Sequence, residues 1–419
     1  MKKLLAVSWW FPPLLNPRSI QVGKTLHALA KQGWHITVVT AGLRTLPIGQ
    51  QQDEALLKAY ESGVEIVRIP APLTMRLAQI VRRLVPALAI QPDEQLLWAR
   101  RVVAQLPRLI DISNYSALTT FGHPWSDHII GGELKAAFDL PWLAHFSDPW
   151  ADNPYNARLT AAQLARMRAL EEATVLAADK LVFTTQPTVD LVMAKYPPEM
   201  AAKAAVVPHG YERKLADLSA TDIRFDKGKL TLLHLGNLYS IRSPEPLFEA
   251  LRLLRDRGAI LPELEVVLVG ALSQQGKWDQ WLRTHQLDGC VRFYPPVPYF
   301  ESLALGRQAD VLLTIDAPND QQSVFLPSKL VVYLALDKPI LGISPEVGVT
   351  ADLLHSLGMP VAPPSKPEQI AEAIAALHDQ WKSGRLRISQ KAAPIVESYR
   401  IENTTVQFEK ILLEMMSKA

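Results

Sequence analysis

A single cysteine, Cys290, is present in 419 residues. One thiol can form neither an intrachain disulfide nor a cysteine-based metal site, and it suits a reducing compartment. Net charge is nearly absent too: 44 lysines and arginines face 42 aspartates and glutamates, leaving +2. So slight an excess gives no general case for nucleic-acid binding, and any basic surface must be local. Nowhere do about 18 uncharged apolar residues follow one another, so no segment is expected to span a bilayer. The opening MKKLLAVSWWFPP begins as a signal peptide does, with two lysines and an apolar run. The run is short and aromatic, Pro12 and Pro13 stop it, and no small-residue cleavage site follows. It reads as a first buried strand. No Gly-x-Gly-x-x-Gly follows that strand, which argues against a dinucleotide dehydrogenase, and there is no Walker loop.

What the chain does have is globular composition, 48% hydrophobic and 21% charged, which is outside the disordered range. Its length exceeds one ordinary core, so two domains are the default. Strands are expected at 4–8, 36–40, 64–69, 117–121, 142–146, 180–184 and 205–207. After a polar stretch they resume at 230–235, 264–269, 291–294, 311–315 and 339–343. Rich in Val, Ile and Leu and bracketed by turn residues, they read as strands buried on both faces. Helical patterns alternate with them; one over 24–32 ends at Gly33, a C-terminal cap. Such alternation implies parallel sheets, hence two doubly wound domains with ligands beyond the strand carboxyl ends. The expected division is 1–207, a linker 208–228 carrying His209 and Gly210, a second domain 229–395, and a closing segment 396–419. That segment is a helix with Phe408, Ile411, Leu412 and Met415 on one face, which should pack back on the first domain.

Chemistry concentrates at two helix starts. In LGNLYSIRSP, 235–244, a strand ends, Gly236 permits close backbone approach, and Arg242 precedes a helix that Ser243 should cap. Free N–H groups at a helix start beside a guanidinium make a pyrophosphate site. An ordinary strand–loop–helix with a surface arginine would read the same way. In FLPSKL, 325–330, Ser328 is a second expected cap and Lys329 a cation in the first turn. Lysine is unfavourable at that positive end of the dipole; either a bound anion or plain solvation accounts for it. In the first domain His123, His128 and Asp148 fall at or just after strand ends. His128 reads equally as a cap for the segment 129–138.

The stretches HLGNLYSIRSPEPLFEAL, ELEVVLVGA, VRFYPPVPYFESL, ADVLLTID and LPSKLVVYLALDKPILGIS fill the second half. SWWFPPLLNPRSI, GWHITVVTAG, PWLAHFSDPWADNPY and AVVPHGY lie in the first. Together, in order and spacing over nearly the whole chain, they resemble the group-1 glycosyltransferases, family 4 of the retaining GT-B enzymes. The resemblance implies two Rossmann-like, doubly wound parallel-sheet domains with a cleft between them. The first would bind the acceptor and the second the nucleotide sugar. It implies transfer with retention, no dedicated metal and no separate cofactor; the lack of Asp-x-Asp likewise disfavours the metal-dependent GT-A type. The donor site would comprise Gly236, Asn237, Ser243, Ser328 and Gly270, with Arg242 and Lys329 as the catalytic cations. The acceptor site would draw on Arg18, His123, His128 and Asp148, the last within the family's Asp-Pro-Trp. The match is uneven. The family's phosphate-binding Arg and Lys fall on Asn237 and Arg242, and its Glu-x7-Glu pair falls on Val324 and Val332. Its glycine-rich first loop becomes LLNPRS, 14–19, and its Asn-Gly hinge becomes His209-Gly210.

Residues 73–85 have helical period, with Leu77, Ile80, Val81 and Leu84 on one face and Arg76, Gln79, Arg82 and Arg83 off it. That pattern reads as a membrane-surface helix or as one packed on the first domain. The leading expectation is a cytoplasmic enzyme, working at the inner face of an anionic membrane. It would move a sugar from a UDP, GDP or dTDP donor to a glycan or polyprenyl-linked acceptor in surface polysaccharide synthesis, with no nucleic acid involved. Val324 and Val332 leave open a GT-B scaffold without transfer, serving as a partner or sugar-binding subunit. A sugar-nucleotide epimerase is the third reading, but the second half offers few of the acid/base groups it needs.

Overall fold

The apolar runs become the strands of two all-parallel sheets. The computed structural model describes every residue except 1, 47–49, 214–219, 240–241, 259–260, 319–322 and 418–419. The first sheet holds β1 (Lys3–Val7), β2 (His35–Ala41), β3 (Val64–Ile69), β4 (Ala117–Gly122), β5 (Trp142–Phe146), β6 (Lys180–Phe183) and β7 (Ala204–Val206). Its spatial order is β3-β2-β1-β4-β5-β6-β7. The second holds β8 (Leu230–Leu235), β9 (Leu264–Val269), β10 (Val291–Tyr294), β11 (Val311–Ile315), β12 (Ile340–Ile343) and β13 (Val361–Ala362), ordered β10-β9-β8-β11-β12-β13. β13, unforeseen from the sequence, is too short to show a period.

Both faces of each sheet are covered by helices, which is why the strands are apolar without alternation. Leu5 and Val7 of β1 enter one cluster with Trp9, Trp98 and Trp142, whereas Leu4 and Ala6 enter another with Leu26 and Val38. In β8, Leu230 and Leu232 likewise part from Leu233 and Leu235.

The chain forms two units, Met1–Gly210 with Ile401–Ala419, and Tyr211–Arg400. The helix Ile401–Met416 belongs to the first because Phe408, Ile411, Leu412 and Met415 join the cluster beneath Leu4 and Ala6. Burial of such side chains contributes about 1.5–3 kcal/mol each. Glu409 on the same helix accepts from Lys2 Nζ at 2.8 Å and from Trp34 Nε1 at 2.9 Å. A Cβ on Gly210 would come within 2.6 Å of the Ile401 backbone, so the chain leaves this unit hard against the returning helix. Of the stretch expected as a linker, 214–219 lies outside the described residues, while Ile223 and Phe225 pack on the second unit and Thr221 Oγ1 donates to Glu301 at 2.9 Å.

Helix Pro17–Lys31 starts earlier than its apolar period suggested. Asn16 caps it by accepting from Arg18 N–H at 2.9 Å, and Pro17 takes the first turn. Arg18 is therefore a helix residue rather than part of a loop.

Candidate functional site

Strand order reverses between β8 and β11 in the second unit and between β1 and β4 in the first. At such points neighbouring loops diverge and leave room for a ligand.

In the second unit the backbone leaves β8 at Gly236 with φ +119°, and a Cβ there would sit 3.2 Å from Lys329 Nζ. Gly270, after β9, has φ +145°, and its Cβ would come within 2.4 Å of the Gly236 carbonyl oxygen. The positive φ disfavours a side chain at both positions, and at Gly270 the backbone leaves no space for one. The Asn237 side-chain oxygen accepts from Ala271 N–H at 2.8 Å, and Leu238 N–H donates to Ala271 O at 2.9 Å. That oxygen of Asn237 therefore ties two loops together, a structural duty where the resemblance implied a donor contact.

Lys329 lies in the short helix Ser328–Tyr333. Pro327 holds the N-cap position and no side chain caps the helix, so Ser328 is not the cap the sequence suggested. A helix this short gives little dipole, and the ammonium is held by something else. His234, the one polar ring in apolar β8, has Nδ1 3.0 Å from the Leu313 carbonyl oxygen and Nε2 3.0 Å from Lys329 Nζ. A carbonyl can only accept, so Nδ1 carries the proton and Nε2 accepts from the ammonium. Burial, with Lys329 beside it, pushes the His234 pKa well below the usual range, which keeps the ring neutral. Burial and then Arg242 lower the Lys329 pKa to about 7, against the opposing pull of Asp316. Asp316, buried just after β11, accepts from Ser344 Oγ at 2.9 Å. The Arg242 guanidinium carbon stands 5.6 Å from the Tyr239 ring centre, and its Nε is buried without a hydrogen-bond acceptor among the described residues. Ser243 caps the following helix from one residue further out than expected: Pro244 is the N-cap, and Ser243 Oγ accepts from Glu245 N–H at 3.1 Å. The neighbouring Ser240 and Ile241 are outside the described residues. Two cations thus interact across a glycine-lined turn with one buried carboxylate nearby, an arrangement that attracts an anion. Val324 is buried and Val332 partly so against apolar neighbours.

In the first unit Arg18 is 7% exposed, with its guanidinium carbon 5.9 Å from the Phe121 ring centre. Asp148 and Asp127 are near enough to favour its charge, yet burial outweighs them and lowers its pKa to about 10. Asp148 is half-buried after β5, and His123, after β4, is exposed with its ring edge-on to Trp125 at 5.9 Å. His128 separates from this group. Fully buried, with Nδ1 2.7 Å from Thr120 Oγ1, it lies among Trp125, Trp142, Phe146 and Trp150. Burial drops its pKa to about 3. It is sealed from solvent and does not cap its helix Ser126–Phe138; Asp93 accepts from Trp125 N–H at 2.7 Å and Ser126 Oγ at 2.5 Å at that end.

His234, Asp316, His145 and Asp127 escaped the sequence reading. For the two histidines a signal existed: each is the penultimate residue of a strand whose other members are apolar, apart from Thr231 in β8. Among the described residues no group of three or more His, Cys, Asp or Glu could hold a metal ion, and no helix is long and apolar enough to cross a membrane.

No protein-family model matches the chain, and no curated protein matches its sequence. Solved structures do match. Sucrose-phosphate synthase from Thermosynechococcus elongatus aligns over 100% of both chains with a TM-score of 0.71 at 17% identity. A glycosyltransferase from Rickettsia africae gives 0.69 at 11% identity, over 100% of this chain and 99% of that one. Anabaena HepE in complex with UDP-glucose gives 0.66 at 13% identity, over 100% of both. Identities so low speak for the fold alone, and that fold, two parallel-sheet α/β domains, is the GT-B fold of glycosyltransferases.

Proposed function

We propose that the protein is a retaining, family-4-type glycosyltransferase that moves a hexosyl group from a UDP-sugar to a glycan or polyprenyl-linked acceptor. The observation that carries the proposal is the Lys329 ammonium, seated on His234 beside Arg242 at the switch point of the second sheet. As the bond from the anomeric carbon to the diphosphate oxygen breaks, negative charge grows on the diphosphate, and fixed cations stabilise it most at that moment. The acceptor oxygen bonds to the anomeric carbon from the same face, and its proton passes to the departing phosphate oxygen. UDP is favoured among nucleotides because the similar HepE is solved with UDP-glucose. On this reading Lys329 and Arg242 are catalytic, Gly236 and Gly270 admit the diphosphate, and Ser243 and Ser328 line the donor site. Asp148 and His123 orient acceptor hydroxyls.

The helix Thr74–Leu84 supports work at a membrane surface in surface polysaccharide synthesis. Met75 is its one buried residue; Leu73, Leu77, Ile80 and Leu84 are exposed by 75%, 62%, 52% and 76%. Packing on its own unit does not account for that face, whereas an acyl boundary does. Arg76 and Arg83 are exposed for anionic headgroups, Arg76 with a long bond from Nη2 to the Leu46 carbonyl oxygen at 3.4 Å; Arg82 is partly committed to Glu94 at 3.3 Å. Val324 and Val332, where the family carries glutamates, favour a second reading, a scaffold that binds UDP-sugars without transfer. Incubation with a panel of UDP-sugars, followed by released UDP and the anomeric configuration of any product, tests both. Release with retained configuration supports the enzyme. Binding without release supports the scaffold, and no binding of any UDP-sugar removes the donor site.

A further inference from the structure

We infer that Arg18 is the centre of a phosphate-binding site in the first unit, so that the acceptor is anionic, a phosphate or diphosphate ester. The inference deepens the acceptor role proposed above and rests on it only for calling the ligand an acceptor. Nε and both terminal nitrogens of Arg18 are buried and lack any hydrogen-bond acceptor among the described residues. An arginine stays charged in this setting, and its unpaired donors are costly to keep out of water. Proteins hold buried guanidinium groups against carboxylates as a rule. Here neither neighbouring carboxylate is bonded to it. Asp127 accepts from Trp9 N–H at 2.9 Å through Oδ2, and burial raises its pKa well above the usual range, favouring the neutral acid. Asp148 acts on Arg18 through space.

The surroundings suit a phosphate. Arg18 follows β1 and faces groups that follow β4, β5 and β7, at the carboxyl edge and switch point of the sheet. Three of them, His123, Asp148 and His209, interact electrostatically with Arg18, and His123 is exposed while the other two are partly exposed. They form an open rim over a buried fork. His145, 5.7 Å ring to ring from His209, adds a third imidazole, held neutral by burial. Neutral imidazoles can donate to phosphate oxygens without repelling Arg18, and a fork of parallel N–H groups matches two of those oxygens at once.

The test is calorimetric titration of inorganic pyrophosphate into the full-length protein already saturated with UDP, so that the donor site is filled. Wild type should take up about one further equivalent. Arg18→Met should weaken that uptake by about 10–100-fold, as loss of charged hydrogen bonds implies, and Arg18→Lys should fall in between. Without phosphate, Arg18→Met should melt at or above the wild-type temperature, because an unpartnered buried charge has been replaced by a side chain that packs. Uptake unchanged in Arg18→Met, no second equivalent in wild type, or a lower melting temperature for the variant would each overturn the site. Glucose 6-phosphate and farnesyl diphosphate, titrated in parallel, separate a soluble ester from a lipid-linked one by which binds more tightly. If UDP itself does not bind, the donor assignment falls while Arg18-dependent pyrophosphate binding can still stand.

Discussion

The switch points of the two sheets each hold a cation, buried in the first and partly buried in the second, but they hold it differently. In the second unit Lys329 leans on a neutral histidine that is itself pinned to a backbone carbonyl. In the first, the Arg18 guanidinium has no hydrogen-bonded partner among the described residues. An ammonium is a point charge whose pKa burial can move to about 7, whereas a guanidinium here remains near 10. The contrast teaches that one fold element, repeated, supports a proton-adjustable anion site and a fixed one. The adjustable site suits a group whose charge changes during reaction; the fixed one suits a group that must only be held.

The largest effect should come from deleting the cations of the second unit. Arg242→Ala and Lys329→Ala should each lower turnover by about 10²–10³ with a smaller change in Michaelis constant, as for other donors aimed at developing charge. Steady-state kinetics with the competent UDP-sugar decide it, and unchanged turnover in both would misplace the donor site. Next in size is membrane binding. Leu77→Ser with Leu84→Ser should weaken co-sedimentation with anionic liposomes by about tenfold or more, since each exposed leucine brings up to about 1.5–3 kcal/mol on burial. Reversing Arg76 and Arg83 should remove roughly 1 kcal/mol per charge at moderate salt. Arg82 should matter less than either because of its ion pair with Glu94.

A pH series sharpens the contrast between the two cations. With Lys329 at about 7, UDP affinity should fall as pH rises through neutrality, and Lys329→Arg should flatten that fall. Stability of the free protein should move the other way. The folded state disfavours the ammonium, so the unfolded chain binds more protons between about 7 and the free-lysine value near 10.4, and stability rises with pH across that window. Opposite slopes in melting temperature and affinity would be the signature; parallel slopes would show that Lys329 is not the titrating group. The smallest effect is expected from Val332→Glu, which should tighten UDP binding about 2–10-fold if the carboxylate finds the ribose, one ordinary hydrogen bond's worth.

How much of this was legible beforehand differs between backbone and site. Strands buried on both faces announce themselves as uninterrupted Val, Ile and Leu, and runs such as 230–235 and 264–269 stand where they were placed. Apolar period cannot show a helix start made of polar residues: Asn16, Pro17 and Arg18 form the first turn of a helix read as beginning at 24. The same limit applies to the caps. Ser243 and Ser328 both precede helical patterns, but only Ser243 bonds a helix N–H group. Arg242 and Lys329 could be picked out as cations near glycine turns, yet what holds Lys329 comes from a residue 95 positions away in sequence. His128 shows the converse. A histidine near a strand end resembles a ligand in one dimension and turns out to be sealed among four aromatic rings.

The helix Ile401–Met416 has a consequence for the order in which the chain can be made. A ribosome delivers residues from the N-terminus onward, and domains fold as they emerge. The first unit is begun first but lacks Phe408, Ile411, Leu412 and Met415 until the whole of Tyr211–Arg400 has been made. The second unit, Tyr211–Arg400, has all its strands by then. The unit started first is thus the last to close, and the apolar surface around Leu4, Leu26 and Val38 waits uncovered through the translation of the other. Nascent chains stalled at 400 should show a protease-resistant second unit beside a first unit that is still cut, and resistance of both would show that the final helix is dispensable for closure.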